Sequence, residues 1–364
     1  MKSFDEIFVD KTKYGVKVQT TEYSEVGEHI IIDQGQSQIA GYTDRQEGLF
    51  EEVPVVIFGD HTRVIKYVDE PFFLGADGVK VLRSKDDNAN YKYLYYALKN
   101  ARIPDTGYNR HFKWLKEVQI NYPDSDKQAE IVDILDNVSS VIKKREDELC
   151  VLDDLIKARF VEMFGDNDKK IAISSLCDVS GGYSFKSEDI SSTGFIKILQ
   201  IGNVYLDDVN WETTNYLPKG FDNVYSRFLL NEGDIVIALT RPIIQSLGNV
   251  KACIVKVSDT PCLLNQRVGR IVSKKNVDVN LKFIYGCLMT DDFTRYVESC
   301  CIGCSQPNIS TKDIENYMIP DASYEKQMDF VKFKEQVDKS KVVVQKALDE
   351  TQILFNSLMQ QYFG

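Results

Sequence analysis

Segment 109–165 aligns with segment 308–364 at a constant offset of 199 residues, without a gap. Lys127-Gln128 falls on Lys326-Gln327, and Val132, Val138, Leu149 and Leu155 fall on Val331, Val337, Leu348 and Leu354. Phe164-Gly165 falls on Phe363-Gly364. Each copy is a long helical pattern preceded by mixed strand and helix signals. The repeat continues upstream with slips: 73–82 matches 263–272 at offset 190, and Thr62-Arg63 matches Thr240-Arg241 at offset 178. Slips of this kind belong in loops, where insertions are tolerated. A chain ordered module, helix, module, helix carries two related surfaces. In a tandem array the diverged face is usually the one that reads a ligand.

The rest of the chain bounds the class. No run of 18 apolar residues exists, so no membrane-spanning helix is expected. The start, Met1-Lys2-Ser3-Phe4-Asp5-Glu6, lacks the apolar stretch of an export signal. A cytoplasmic protein with free thiols is therefore expected. The eight cysteines are Cys150, Cys177, Cys253, Cys262, Cys287, Cys300, Cys301 and Cys304. Cys300-Cys301 with Cys304 has the look of a metal or redox motif. A structural zinc site needs a further ligand, and all three histidines (His29, His61, His111) lie in the first half. No metal and no cofactor are expected. The net charge of −11 is unevenly spread. Segment 124–165 holds 11 acids against 6 bases, and 321–364 holds 7 against 6. Any nucleic-acid binding must then come from local basic patches rather than from an overall cationic field.

Segments 30–32, 53–58, 79–82, 234–238 and 252–257 read as strands: β-branched, apolar and bounded by Gly, Asp or Pro. Segments 90–100 and 282–290 read as helices, and Gly181-Gly182-Tyr183-Ser184 as a turn. Tyr91, Tyr93, Tyr95 and Tyr96 either stack bases or fill the core, and their helical spacing favours the core. From Ile131 through Leu135, Val138, Ile142, Leu149, Leu152 and Ile156 the apolar steps alternate four and three, a heptad-like seam. At about 1.5 Å per residue the helix would span about 60 Å. The fold class is α+β. A mixed α/β module at 1–123 precedes a long helix at 124–165. A second module follows at 166–320, then a C-terminal long helix at 321–364 that pairs antiparallel with the first as a coiled coil. The whole forms a pseudo-two-fold internal repeat.

Sequence readout of duplex DNA needs Arg, Lys, Asn and Gln on supported loops, because they bridge two base-edge groups at once. One such set is His61, Thr62, Arg63, Lys66, Asn109, Arg110 and Lys113. The other is Thr240, Arg241, Gln266, Arg267, Ser305, Gln306, Asn308 and Lys312. Each residue has a plain alternative as a solvated loop side chain, and Asn109 and Asn308 are equally placed to be caps. On the long helices Ile134, Val141, Ile353 and Leu354 lie beside the seam and are candidates for covering by a partner protein.

Two dialects of motif run in order along the chain. The first is Gly59-Asp60-His61-Thr62-Arg63, Phe72-Phe73-Leu74-Gly75-Ala76-Asp77-Gly78-Val79 and Gly107-Tyr108-Asn109-Arg110-His111. The second is Gly181-Gly182-Tyr183-Ser184-Phe185, Ile198-Leu199-Gln200-Ile201-Gly202-Asn203, Leu264-Asn265-Gln266-Arg267-Val268 and Gly303-Cys304-Ser305-Gln306-Pro307-Asn308. In this order, and with a Lys-Gln pair opening each helix, the chain resembles the specificity subunit of Type I restriction–modification systems over essentially its whole length. It departs from that pattern at Tyr122-Pro123-Asp124-Ser125, the elbow before the first helix, which is less proline-rich than usual. The resemblance implies a non-catalytic subunit with two target recognition domains reading a bipartite, asymmetric duplex DNA. It also implies two methyltransferase subunits as partners, adenine methylation directed by the complex, and restriction by motor-nuclease subunits. Enzyme signatures are missing: there is no Asn-Pro-Pro-aromatic motif, no phosphate-binding Gly-Lys-Thr or Gly-Lys-Ser, and no nucleophile elbow beside Asp60-His61. Two rival classes remain: a protein-binding scaffold, and a cysteine- or metal-dependent enzyme built on Cys300 to Cys304.

Overall fold

The computed structural model describes residues 1–75, 77–107, 109–165, 168–301 and 307–364. It divides into two compact units, 1–148 with 344–364 and 149–343. The boundary therefore cuts both long helices. Each unit keeps one module, the start of the helix that follows it and the end of the other helix.

In the first unit the elements are β1 (Lys2–Ser3), α1 (Phe4–Ile7), β2 (Phe8–Asp10), β3 (His29–Ile32), β4 (Gly41–Thr43), β5 (Val55–Gly59), β6 (Ile65–Val68), β7 (Phe72–Leu74), β8 (Val79–Ser84), α2 (Tyr91–Lys99), α3 (Phe112–Leu115), β9 (Gln119–Ile120) and the start of α4 (Ser125–Phe164). The second unit has the end of α4, then β10 (Lys170–Ala172), α5 (Ile173–Leu176), β11 (Cys177–Gly181), β12 (Ile196–Leu199), β13 (Asn215–Leu217), α6 (Phe221–Val224), β14 (Ile235–Ala238), β15 (Ile243–Ile244), β16 (Asn249–Val250), β17 (Ala252–Ile254), β18 (Cys262–Leu264), β19 (Val268–Ser273), α7 (Leu281–Leu288), α8 (Asp291–Cys300), α9 (Thr311–Asn316), β20 (Met318–Pro320) and the start of α10 (Tyr324–Phe363). Among the described residues, no helix is long and apolar enough to cross a membrane.

The two sheet plans coincide. The larger sheets run β2-β8-β5-β6 and β11-β19-β14-β17, and the smaller run β4-β3-β7 and β13-β12-β18. In each smaller sheet one pair is parallel, β3 with β7 and β12 with β18. The central strands β5 and β14 are buried along their whole length, which is why they read as unbroken apolar runs rather than as alternations. One helix backs each larger sheet. Asn90 caps α2 by accepting from the Tyr93 amide at 3.1 Å, and Asn280 caps α7 by accepting from the Lys282 amide at 2.9 Å.

The tyrosines of α2 are core residues. Tyr91, Tyr93 and Tyr96 are buried, and Tyr93 packs on Phe363 at 5.2 Å. Phe283 and Phe164 repeat that contact in the second unit at the same separation. In the first unit Ile131 and Leu135, near the start of α4, share a core with Phe355 and Met359, near the end of α10. In the second, Phe160 and Phe164 meet Phe330 at 5.3 and 5.9 Å. The start of one helix lies against the end of the other each time, the antiparallel arrangement. Both helices open on a buried glutamine: the Gln128 amide donates to the Pro123 carbonyl at 2.8 Å, and that of Gln327 to the Ala322 carbonyl at 2.9 Å.

Gly181-Gly182-Tyr183-Ser184 is not a turn. Gly181 ends β11 and Tyr183 bridges Asn265 in parallel. The doublet marks a close crossing of chains: a Cβ on Gly182 would lie 2.3 Å from the Asn265 carbonyl oxygen.

Candidate nucleic-acid interface

In the first unit β5 turns into β6 through 60–64. The Arg63 amide donates back to the Gly59 carbonyl at 2.7 Å, and Gly59 to Val64 at 2.8 Å. This closure puts Arg63 in the left-handed region, φ 61°, at a cost of order 1 kcal/mol for a residue with a Cβ. Loop 103–113 is fastened to the turn. The His111 amide donates to the Asp60 carbonyl at 2.7 Å, and the Phe112 amide to Asp60 Oδ1 at 2.8 Å. His111 is 1% exposed and Asp60 4%, so both belong to the scaffold. Arg63 donates to Asp105 at 2.8 Å, and the Thr62 hydroxyl to the Gln34 carbonyl at 2.6 Å. His61 is half-buried, its amide donating to Gln34 Oε1 at 3.1 Å. Thr62, Asn109, Arg110 and Lys113 are exposed. The Lys113 ammonium sits 4.1 Å above the Trp114 ring. The Asn109 amide group donates to Thr106. Asp77 joins the rim: its carboxyl is held below the ordinary carboxylate range, chiefly by the Lys17 ammonium and also by Arg110 and His61.

Lys66 leaves the set. Its ammonium is 2% exposed and donates to the Ser37 carbonyl at 2.6 Å, with Asp33 at 3.5 Å. It points into the unit because its β6 position is inward-facing, and burial pushes its pKa down.

The second unit builds the same device. β14 runs out through Leu239 into Thr240 and Arg241, and Arg241 is again left-handed, φ 48°. Segment 239–241 is zipped to 307–309: the Arg241 amide donates to Pro307 at 2.8 Å, the Ile309 amide to Leu239 at 2.9 Å, and Thr240 bridges Asn308. The Leu239 amide donates to Arg267 at 2.9 Å and the Gln266 amide to Tyr183 at 2.9 Å. Thr240, Arg241, Gln266, Arg267 and Asn308 are thus drawn together, and Arg241, Gln266, Arg267 and Asn308 are exposed. Arg241 makes no side-chain hydrogen bond or ion pair among the described residues. Lys312 stands on α9, paired with Glu315 at 3.3 Å. Ser305 and Gln306 lie outside the described residues, as does Cys304.

Sequence reasoning missed Asp60, Asp105 and Gln34, which fasten the first turn to its neighbours. Asp105 contacts Arg63 across 42 residues, and an acid in a polar loop carries no pattern that would reveal it.

The cysteines offer no nucleophile in the core. Burial pushes Cys177 and Cys262 up to about 12 and also raises Cys253 and Cys287 well above the ordinary thiol value, so all four stay protonated. Among the described residues no group of three His, Cys, Asp or Glu side chains is placed to hold a metal.

On the long helices Val141 is 40% exposed, Ile353 68% and Leu354 50%. Ile134 is half-buried and is a poorer candidate. Leu155, the repeat equivalent of Leu354, is 45% exposed.

The family model for the Type I restriction modification DNA specificity domain matches residues 10–150 and 166–351. The chain belongs to this specificity family. It is 29% identical, over 278 residues, to the Type I restriction enzyme MjaVIII specificity subunit of Methanocaldococcus jannaschii, covering 68% of this chain and 64% of that protein. Over 150 residues it is 33% identical to the EcoAI specificity subunit of Escherichia coli, covering 41% of this chain and 24% of that one. The chain thus spans under two thirds of the length of both relatives. The fold is similar to that of the S subunit of a Type I restriction–modification system from M. genitalium. The TM-score is 0.58 at 17% identity, over 100% of this chain and 95% of that one. A chain from a structure on complex assembly and conformational transition of the type I R-M system gives 0.53 at 13% identity, over 100% and 99%. Both family matches take in the candidate residues of their module, from Thr62 to Lys113 and from Thr240 to Lys312.

Proposed function

We propose that this member of the specificity family reads a bipartite, asymmetric duplex DNA, one half-site per unit. In this reading it directs adenine methylation by two methyltransferase subunits and cleavage by motor-nuclease subunits. One observation carries the reading. Each unit spends backbone strain to set an arginine at the same strand exit and straps a second polar loop onto it, φ 61° at Arg63 and 48° at Arg241. An arginine so held suits a bidentate contact to guanine in the major groove, and the polar neighbours differ enough between units to read different bases. Thr62, Asn109, Arg110 and Lys113 complete the first set. Thr240, Gln266, Arg267 and Asn308 complete the second, with Lys312 and the undescribed Ser305 and Gln306 as further candidates. The cations are few, so the salt dependence of binding should reflect a handful of phosphate contacts rather than a cationic field.

Sequencing of methylated adenines in DNA from cells carrying the complete system tests this. An interrupted, non-palindromic motif is expected. A palindromic or continuous motif would refute the reading.

A further inference from the structure

The two arginines are held differently. Arg241 is exposed and its guanidinium has no partner among the described residues. Arg63 is half-buried and fixed at three points. Its amide is tied to Gly59, its Nη2 donates to Asp105 Oδ2 at 2.8 Å, and its Nη1 reaches the Ile103 carbonyl at 3.4 Å. Asp105 is itself anchored, because its other carboxylate oxygen accepts from the Gly107 amide at 3.0 Å. The loop bearing Asp105 is held in turn by the buried Asp60–His111 contacts. A guanidinium carries five N–H donors. Two are engaged, three remain, and a bidentate contact to guanine needs two.

We propose that Asp105 is a positioning residue for recognition: it holds the Arg63 guanidinium in the plane from which Arg63 reads a guanine of the first half-site. The inference rests on the reading above, in which Arg63 contacts a base. A long side chain held before the DNA arrives loses less rotamer freedom on binding. It also presents its donors in one orientation, so a wrong base gains nothing from a swivel of the arginine. Among the described residues of the second unit no acid holds Arg241, which orders itself against its target. Discrimination at the base pair read by Arg63 should therefore be sharper than at the one read by Arg241.

The experiment uses the full methyltransferase complex carrying Asp105→Asn, Asp105→Glu, Arg63→Gly, or Arg63→Gly with Asp105→Asn. Methylated motifs are sequenced, and binding is measured on duplexes altered one base pair at a time. Asp105→Asn should cost about tenfold in discrimination at one base pair of the first half-site. That base pair should be the one Arg63→Gly erases, and the second half-site should be unchanged. Asp105→Glu should restore part of the loss, and the double variant should be no worse than Arg63→Gly alone. A uniform gain in binding to every duplex would make Asp105 a mask over Arg63 and overturn the proposal. So would an unchanged motif with Asp105→Asn, or a loss at a different base pair. If Arg63→Gly itself leaves the first half-site intact, the reading of Arg63 fails. If Arg63→Gly erases a base that Asp105→Asn spares, only the role of Asp105 fails.

Discussion

The two units share a strand order but not a surface. Both pair a four-stranded sheet, with a buried inner strand, with a three-stranded sheet, and both back the larger sheet with one helix. Beyond that plan the second unit adds α6, the β15–β16 hairpin directly after the Arg241 turn, and α8. The first unit passes from β5 to β6 through the few residues around Arg63. Buried strands cannot change length without moving every neighbour, whereas a loop over solvent can. The shared frame with divergent rims is what two readers of different half-sites would need.

The largest expected effect tests whether the likeness extends to partner docking. Leu155 and Leu354 occupy the same repeat position, one in each unit, and both are exposed. If each unit docks one methyltransferase subunit there, Leu155→Asp should remove one copy and Leu354→Asp together with Ile353→Asp the other. A buried carboxylate at the centre of an interface costs at least about 2 kcal/mol, so each loss should exceed about thirtyfold in affinity. Native mass spectrometry of the co-expressed complex reads the stoichiometry. Loss of both copies from one substitution, or of neither, breaks the comparison at its helices.

The buried charges separate the units next. The second unit buries an ion pair, Arg270 to Asp234 at 2.7 Å, with Arg270 also donating to the Leu229 carbonyl at 3.1 Å. The first unit buries the Lys66 ammonium, whose carboxylate neighbour, Asp33 at 3.5 Å, stays 28% exposed. Removing one member of a buried pair strands the other, so Arg270→Met should cost about 3 kcal/mol. Lys66→Met removes a cation whose charged form burial already disfavours, and should change stability by less than about 1 kcal/mol. Chemical denaturation of the two variants measures both. The methylated motif should be the same for Lys66→Met as for the parent, because this ammonium faces the interior. Equal destabilisation by the two substitutions would mean that Lys66 is held as tightly as the pair.

Next come the left-handed arginines. Replacement by glycine removes the guanidinium and the φ penalty together, so Arg63→Gly and Arg241→Gly should keep or slightly raise thermal stability. Each should nevertheless lose about 1–3 kcal/mol of discrimination at one base pair of its own half-site. Loss spread over both half-sites would mean that the arginines hold phosphates.

How much of this was legible in the sequence depended on the range of the contacts. The long helices were readable because a heptad-like seam runs from Ile131 to Ile156 and the whole segment recurs without a gap at an offset of 199 residues. The clusters Thr62-Arg63, Asn109-Arg110 and Gln266-Arg267 were readable as polar loop residues. Their assembly was not, because the pairings of 60 with 111 and of 240 with 308 join distant parts of the chain. The positive φ of Arg63 and Arg241 leaves no trace, since arginine is not a residue that signals it. Lys66 was misread because one inward-facing lysine on a strand looks like any other lysine. The doublet Gly181-Gly182 was misread because glycine serves a close crossing as readily as a turn.

A last difference lies in the packing of the helix ends. In the first unit Tyr96 fills the space beside Phe355, with ring centroids 6.2 Å apart, and its hydroxyl donates to Asp136 at 2.7 Å. The repeat places Gly286 and Ile156 at those two positions in the second unit. A cleft of about 480 Å³, partly open to solvent, is lined there by Ile156, Phe160, Phe164, Gly286 and Phe330 together with charged side chains such as Asp153, Lys157 and Lys341. Gly286 cannot simply be refilled, since its Cβ would meet the Phe330 ring at 2.7 Å. At the repeat position of Ile131 the second unit carries the larger Phe330. Ile156 is free of that constraint. Ile156→Phe, which copies Phe355, should stabilise the second unit by about 0.5–1 kcal/mol. Gly286→Ala should destabilise it by about 1–3 kcal/mol through overpacking. Neither should alter the methylated motif. Thermal unfolding of the two variants decides the matter, and destabilisation by Ile156→Phe would show that the space between these helices is not a packing defect inherited from the duplication.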